Sequence, residues 1–285
     1  MKKLSIPDFF EKKKRGERIT FITGYDYPTA SLAERAGIDM ILVGDSLGMC
    51  VYGYPGTVPV TMDQMIYHTE AVRRAAPGTF VIGDMPFLSY QTDVPDAIRN
   101  AGRFFKEAGV DAVKLEGGLR VIDKIKGIVD SGMPLMGHIG LTPQSSGQLG
   151  GFKAQGRTAE SAKALIDDAI AIEEAGAFAL VLDAVPPEVG GYIARILGIP
   201  VLGIGAGPYV DGQLLIVSDM LGMFEAFTPK FVKKYADLAG TILEAFKNYI
   251  EDIHSGAFPS AEHTYRMVEG EREKLEKMLK NEGRI

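Results

Sequence analysis

The sequence contains a single cysteine, Cys50, which excludes an internal disulfide and favours a reducing compartment. No stretch approaches the roughly 20 apolar residues that a membrane-spanning helix needs. Residues 1–8 are charged and lack the apolar segment of a signal peptide. A formal net charge of −6 argues against nucleic acid or an anionic membrane as a partner. We therefore expect a cytoplasmic protein that acts on small molecules.

The chain also lacks low-complexity segments, and its 34 glycines are spread along the sequence instead of forming a linker. A length of 285 residues suits either two small domains or one large barrel. We predict one domain over residues 1–260 and a charged helical tail over residues 261–285. Apolar residues of this tail, Val268, Leu275 and Leu279, form a narrow stripe. The stripe suits either an amphipathic helix docked on a barrel or a solvent-exposed tail.

One short pattern recurs along the chain: a glycine that ends a helix, a mainly apolar strand, and an acidic residue where the strand ends. Four consecutive apolar residues are typical of an interior strand in a parallel sheet, which is covered on both faces. Residues 78–84 and 132–138 are shorter variants of the pattern, which end at Asp84 and His138. The full examples are Met40–Val43 with Asp45, residues 112–115 with Glu116, and residues 179–182 with Asp183.

Helical patterns separate these strands, and they favour a parallel sheet with helical crossovers. We predict a short helix over Ile6–Arg15, a first strand over Ile19–Thr23 and a capping box from Thr61 to Gln64. About eight strand–helix units over about 250 residues predict a (β/α)₈ TIM barrel. The alternative is a doubly wound sheet, but the first strand is not followed by the Gly-x-Gly-x-x-Gly turn of that fold.

In such a barrel the active site lies at the carboxyl ends of the strands. Lys114 and Glu116 are two residues apart on one strand and therefore point to the same face. Buried charges must be paired or bound to metal, so several carboxylates with few cations suggest a divalent ion. Oxygen ligands favour Mg²⁺ or Mn²⁺ over Zn²⁺. The candidate residues are Asp45, Ser46, Asp84, Lys114, Glu116, His138 and Asp183.

Structural interpretations compete with each of these roles. A single aspartate at a strand end is often a helix cap, and His138 also suits a buried core position. Residues 147–153 are glycine-rich and suit a lid over the site. Residues 203–207 resemble a phosphate-binding loop of barrels, but their glycines also suit close packing at the rim.

Five motifs occur in order on the predicted strand ends, and together they resemble the ketopantoate hydroxymethyltransferase family over residues 6–259. Each motif alone is unspecific, whereas five in order are highly specific. The motifs are Asp45-Ser46-Leu47-Gly48-Met49, Asp84-Met85-Pro86-Phe87, Lys114-Leu115-Glu116-Gly117-Gly118, Gly137-His138-Ile139-Gly140-Leu141-Thr142-Pro143-Gln144, and Gly203-Ile204-Gly205-Ala206-Gly207 followed by Asp211-Gly212-Gln213.

The resemblance implies a barrel of the phosphoenolpyruvate/pyruvate type, assembled as a homodecamer. It implies that Mg²⁺ is held by Asp45, Asp84 and Glu116, the last directly or through water. A 2-oxoacid, 3-methyl-2-oxobutanoate, would chelate the ion and receive a hydroxymethyl group from 5,10-methylenetetrahydrofolate, giving 2-dehydropantoate for pantothenate and coenzyme A. We expect the substrate to be bound by Asp45, Ser46, Asp84, Lys114 and His138.

The sequence departs from the family at the position of the catalytic base. The family pattern Val-Leu-Glu-x-Val-Pro reads Val181-Leu182-Asp183-Ala184-Val185-Pro186 here. We hypothesise that Asp183 is still the base, although its carboxylate is set back by roughly 1 Å, a distance that can cost about 10²-fold in rate. Two alternatives are a folate-independent 2-oxoacid C–C lyase of the same barrel type and a non-catalytic oxoacid-binding protein or scaffold. A scaffold would have no use for so many charged residues at the strand ends.

Overall fold

A computed structural model describes residues 3–285, and within them eight parallel strands close into a barrel in chain order. The first strand pairs with both the second and the eighth, which completes the ring. The predicted (β/α)₈ barrel is therefore confirmed. The strands are β1 (Ile19–Thr23), β2 (Met40–Val43), β3 (Phe80–Asp84), β4 (Ala112–Glu116), β5 (Leu135–Gly140), β6 (Ala179–Asp183), β7 (Val201–Ile204) and β8 (Gly212–Leu215).

Helices precede, connect and follow the strands, and several begin at the residues that the sequence indicates. The capping box at the start of α4 is formed, because Thr61 Oγ1 accepts from Gln64 N at 3.2 Å and Gln64 Oε1 accepts from Thr61 N at 2.9 Å. The helices are α1 (Ile6–Arg15), α2 (Tyr27–Ala36), α3 (Leu47–Cys50), α4 (Met62–Ala75), α5 (Val94–Arg103), α6 (Ile122–Asp130), α7 (Ser146–Leu149), α8 (Ala159–Glu174), α9 (Pro187–Ile196), α10 (Val217–Met220), α11 (Leu238–Ser255) and α12 (Glu271–Asn281).

The chain divides into two compact units after Ala236. The first unit contains the whole barrel, and the second, Asp237–Ile285, contains α11 and α12. No helix in the described part of the chain is both long enough and apolar enough to cross a membrane.

Apolar side chains fill the barrel from its amino-terminal end. Phe9 of α1 is fully buried, and its ring meets that of Phe80, the first residue of β3, edge to face at 5.1 Å. The helix α1 therefore covers the end of the barrel at which the strands begin. Further along the strands the core contains Leu42, Ile82 and Met136, and the polar side chains come after these layers. This order leaves the carboxyl ends of the strands as the place for chemistry.

The register of the parallel strands aligns the candidate residues. Asp84 is opposite Lys114 across β3 and β4, and Glu116 is opposite His138 across β4 and β5. Asp183 is opposite Gly140 across β5 and β6. Because all strands run in one direction, these positions meet at a single rim.

The glycines after β7 are explained by close packing. A Cβ atom on Gly205, whose φ is +68°, would lie 2.6 Å from the ring of Phe231. A Cβ atom on Gly207, whose φ is +80°, would lie 2.6 Å from Cβ of Pro187. Both positions therefore require glycine for reasons of packing and backbone conformation, without any phosphate.

Gly83 sets how closely α5 and the turn after it approach β3. A Cβ atom at this position would lie 2.4 Å from Cδ1 of Phe104. We expect Gly83→Ala to lower the free energy of unfolding by about 1–3 kcal/mol through overpacking. The control is Gly102→Ala in α5, where nothing lies within 4 Å, and it should be neutral or raise stability by up to about 1 kcal/mol. Thermal melting of both variants tests this, and equal melting temperatures would contradict it.

Candidate active site

Six charged or titratable side chains predicted at the strand ends lie together and are buried. Each has at most 8% of its surface exposed. Contacts link most of them across the rim: Lys114 Nζ is 2.6 Å from Asp84 Oδ1 and 4.0 Å from Glu116 Oε1. His138 Nδ1 is 3.4 Å from the same Glu116 oxygen, and His138 Nε2 is 3.8 Å from Asp183 Oδ2. The structure thus brings the strand ends into one polar cluster.

The two remaining candidates come from the segment after β2. The backbone N–H of Asp45 donates to Asp84 Oδ2 at 3.1 Å, which joins this segment to β3. Ser46 is half-buried, and its hydroxyl shares a 2.8 Å hydrogen bond with the hydroxyl of Tyr25. Tyr25 therefore orients the serine hydroxyl at the edge of the cluster.

Lys114 is the one lysine within this buried cluster. Burial on its own lowers the pKa of Lys114, but Asp84 above all, with Glu116 and Asp45, outweighs that effect and raises it. The ammonium group therefore stays protonated. The ion pair with Asp84 explains why a lysine is tolerated on an otherwise apolar strand.

The carboxylates of the cluster outnumber its cation. Burial raises the pKa of Asp45 well above its ordinary value, and repulsion from Asp84 and Glu116 adds to the rise. Burial also raises the pKa of Glu116 to about 7, although Lys114 opposes it. Burial is thus the main cause of both shifts, and it acts in a pocket where three carboxylates share a single ammonium group. The pocket is short of positive charge.

A divalent cation fits this pocket in charge and in ligand type. Asp45, Asp84 and Glu116 offer only oxygen donors, which suit Mg²⁺ or Mn²⁺. Across residues 3–285, no three histidine, cysteine or acidic side chains are arranged to hold an ion by themselves. Both oxygens of Asp84 accept protein hydrogen bonds, from Lys114 Nζ and Asp45 N. The residues therefore fit an open site, in which Mg²⁺ takes few protein ligands and keeps waters or substrate oxygens.

Gln144 is a site residue that sequence reasoning did not identify. Its side-chain N–H₂ group donates to Asp45 Oδ2 and to the carbonyl of Met85, each at 2.9 Å. Its side-chain oxygen accepts from the hydroxyl of Tyr90 at 2.7 Å and from Gln91 Nε2 at 3.1 Å. All hydrogen-bonding capacity of the buried amide is therefore used. The one sequence signal was its place at the end of the motif that begins at Gly137.

The backbone of Gln144 also contributes to the site. Its N–H donates to Glu116 Oε2 at 3.0 Å. The Tyr90 hydroxyl oxygen accepts from the backbone N–H of Glu116 at 3.1 Å and also lies 3.1 Å from the Glu116 carbonyl oxygen. Asp45 and Glu116, two of the three candidate metal ligands, are thus held by one residue that follows β5.

Asp183 has a rigid backbone. Its carbonyl accepts from Leu141 N at 2.8 Å, and a Cβ atom on Gly140 would lie 2.2 Å from the same oxygen. The next residue, Ala184, has a φ of +48°, an uncommon conformation for a residue with a side chain. The backbone therefore has little freedom to move the carboxylate forward by the length of a methylene group.

The environment of the Asp183 side chain suits a base. Burial raises the pKa of Asp183 well above its ordinary value, and Glu116 adds to the rise. Burial and Lys114 lower the pKa of His138, which keeps the ring neutral. Within the described chain, Asp183 Oδ1 and both ring nitrogens of His138 have no hydrogen-bond partner. A substrate bound at the cluster would supply partners for these unpaired buried atoms.

We expect Gln144→Leu to destabilise the protein, because it leaves Asp45 Oδ2 and the Tyr90 hydroxyl buried with fewer partners. The expected loss in free energy of unfolding is about 1–3 kcal/mol for each group left unpaired. The matched control is Gln213→Leu, at an exposed side chain whose one hydrogen bond is to the carbonyl of Gly207. That change should stay within about 0.5 kcal/mol. Thermal melting distinguishes the two, and an unchanged melting temperature for Gln144→Leu would refute the bridging role.

Known proteins match this chain over most of its length. The family model described as ketopantoate hydroxymethyltransferase matches residues 3–261. The 3-methyl-2-oxobutanoate hydroxymethyltransferase of Alkaliphilus metalliredigens is 60% identical over 272 residues, covering 95% of this chain and 96% of that protein. The enzyme of the same name from Moorella thermoacetica is 55% identical over 264 residues, covering 93% and 98%.

Solved structures with low sequence identity share the fold. Phosphonopyruvate hydrolase, solved in complex with oxalate and Mg²⁺, matches with a TM-score of 0.60 and 13% identity over 99% of each chain. The 2,3-dimethylmalate lyase, a member of the PEP mutase/isocitrate lyase superfamily, matches with a TM-score of 0.57 and 15% identity, covering 95% of this chain and 93% of that one. These likenesses show that the same barrel fold occurs in proteins of very different sequence.

Proposed function

This chain belongs to the ketopantoate hydroxymethyltransferase family, and from that premise we propose how its site carries out the reaction. It transfers a hydroxymethyl group to 3-methyl-2-oxobutanoate, which gives 2-dehydropantoate in the pantothenate pathway. We propose that the hydroxymethyl carbon comes from 5,10-methylenetetrahydrofolate and that the site requires Mg²⁺.

The observation that carries the metal requirement is the charge imbalance of the buried cluster. Asp45 and Asp84 would hold the ion, with Glu116 binding it directly or through water, and Lys114 alone cannot neutralise the three carboxylates. When bound, a divalent ion acts as a Lewis acid on the carboxylate and keto oxygens of a 2-oxoacid. The protein supplies the dry, shaped pocket and fixes the positions of the three carboxylates.

Lys114 and Ser46 position the 2-oxoacid. The Lys114 ammonium group is protonated and buried beside the carboxylates, so it stabilises the negative charge that grows on the keto oxygen when the C3 proton leaves. The Ser46 hydroxyl, oriented by Tyr25, is available to the substrate carboxylate. His138 stays neutral and contributes a ring nitrogen to the wall next to the base.

Asp183 removes the proton from C3 of the substrate. Its raised pKa makes it a stronger base than an exposed aspartate, and its buried Oδ1 has no hydrogen-bond partner within the described chain. The electron pair left at C3 then forms a bond to the methylene carbon of the donor, and the bond from that carbon to one of its two nitrogens breaks, with its electron pair going to that nitrogen. Water then replaces the second nitrogen on the same carbon, which releases tetrahydrofolate and the hydroxymethyl product. Because the Asp183 backbone is rigid, we infer that the substrate or a water, not the main chain, makes up for the shorter side chain.

The alternative activity is C–C bond cleavage or formation next to a 2-oxoacid without folate. It would use the same carboxylates and the same lysine, so the geometry of the cluster alone does not separate it from the transferase. The two activities differ in whether a one-carbon donor is needed.

We expect 2-dehydropantoate to form only when 3-methyl-2-oxobutanoate, 5,10-methylenetetrahydrofolate and Mg²⁺ are all present. Product analysis by mass spectrometry after omission of each component provides the measurement. Excess EDTA should abolish product formation, and Mg²⁺ or Mn²⁺ added in excess over the chelator should restore it. New or cleaved C–C bonds in the absence of the donor would instead establish the lyase.

The homodecamer and the cytoplasmic location stay predictions of the resemblance and the composition. The helix α11 presents a large apolar face, and such a face is typical of a protein–protein contact. This supports a homo-oligomer. Its exposed apolar residues, each at least 38% exposed, are Ile242, Leu243, Phe246, Tyr249, Ile250 and Ile253.

A further inference from the structure

A cavity adjoins the polar cluster, and it has no role in the chemistry described so far. Its volume is about 440 Å³, within the range of small-molecule sites. It is walled by the segments that follow β3, β4 and β5, with Phe87 and Gln91 on one side and Ser145 on the other. Glu116 lies at its inner end, so a molecule in this cavity reaches the edge of the oxoacid pocket.

Two cations, Arg120 and Lys124, line the outer part of this cavity. The Arg120 guanidinium donates to two neutral oxygens, Ser145 Oγ at 2.7 Å and Gln148 Oε1 at 3.4 Å. In the region that the structure describes, no carboxylate lies within ion-pair distance of this guanidinium. Its charge is therefore available to an anionic ligand.

Lys124 forms an ion pair with a carboxylate that is much more exposed to solvent than the lysine. Its ammonium group is 2.8 Å from Asp123 Oδ2, and the Lys124 side chain is 15% exposed while that of Asp123 is 56% exposed. Such a pair with a solvated carboxylate is weak. A ligand carboxylate inside the cavity can therefore take the place of Asp123 at modest cost.

We propose that this cavity binds the one-carbon donor, an inference that rests on the folate dependence proposed above. The donor consists of a reduced pterin and an aminobenzoyl-glutamate, with the reactive methylene bridging the two parts and two carboxylates on the glutamate. Its reactive methylene would lie towards Glu116, beside the Phe87 ring, and its carboxylates would pair with Arg120 and Lys124. Guanidinium and ammonium groups bind carboxylates through charge-assisted hydrogen bonds.

A neighbouring cavity of about 370 Å³ on the other side of Arg120 is a poorer match. Its lining includes the carboxylate of Asp168, which would repel an anionic tail. Neither Glu116 nor Asp183 lines it, so a donor bound there would be separated from the reacting carbon. Charge and distance to the polar cluster therefore both favour the cavity that Glu116 lines as the binding site of the donor.

Direct binding of tetrahydrofolate tests this site without any turnover. Equilibrium dialysis would compare the intact enzyme with Arg120→Ala, Lys124→Ala and the double variant, in the presence of Mg²⁺ and the oxoacid. We expect the dissociation constant of tetrahydrofolate to rise about 10- to 100-fold for each lost charged hydrogen bond. A second probe, 6-methyltetrahydropterin, lacks the glutamate and should bind all these proteins alike.

The controls are alanine substitutions at exposed cations outside the cavity. Lys126 lies on α6 with Lys124 and is 66% exposed, and Arg99 on α5 is 69% exposed. Lys126→Ala and Arg99→Ala should leave tetrahydrofolate binding unchanged. If the double variant binds tetrahydrofolate as tightly as the intact enzyme, the proposed binding site is wrong, although the enzyme still binds this donor. Failure of the intact enzyme to bind tetrahydrofolate would overturn the donor itself, and with it this site.

Discussion

The ion pair between Lys114 and Asp84 is the interaction on which the rest of the site depends. The register of β3 and β4 places the two residues opposite each other, and their charged atoms meet at 2.6 Å in a pocket closed to solvent. Loss of either partner would leave an uncompensated buried charge, a change that typically costs 3–5 kcal/mol. Because Lys114 is engaged in this way, Asp45 and Glu116 keep an excess of negative charge. Burial raises the pKa values of both groups, and repulsion from the neighbouring carboxylates adds to the rise, so the pocket is receptive to a divalent cation and a chelating acid.

Around this pair the protein limits motion at each functional group. Gln144 holds Asp45 through its side chain and Glu116 through its backbone. Asp183 is fixed by the close approach of Gly140, whose hydrogen atom occupies a place that no Cβ could take. A site fixed in this way keeps its groups oriented before the substrate arrives, which is a main source of catalytic rate. The barrel supplies that rigidity, since every one of these residues is at the end of a strand or directly after it.

The fold and the positions of the charged residues were predictable because they follow from a repeating pattern. Each buried strand must be apolar on both faces, so an acid such as Asp183 at its end stands out. Gln144 carried no such signal, because a glutamine in the segment after a strand belongs to no repeating sequence pattern. Its hydrogen-bond partners also come from distant segments of the chain. The glycines of residues 203–207 were ambiguous for a similar reason, since Phe231, which fills the space at Gly205, is far away in the sequence. Tertiary contacts of this kind are set by packing and are not visible in local sequence.

Exchange of the C3 proton of 3-methyl-2-oxobutanoate in D₂O, followed by proton NMR without any one-carbon donor, tests the central claim most directly. We predict that the enzyme with Mg²⁺ removes the C3 signal, that excess EDTA stops the loss, and that Asp183→Asn slows it by about 10²- to 10⁴-fold. The control Asp130→Asn, at a carboxylate that is 62% exposed on α6, should exchange at the rate of the unaltered enzyme. Full exchange by Asp183→Asn, or exchange that persists in EDTA, would contradict proton removal by Asp183 at a metal-assisted site.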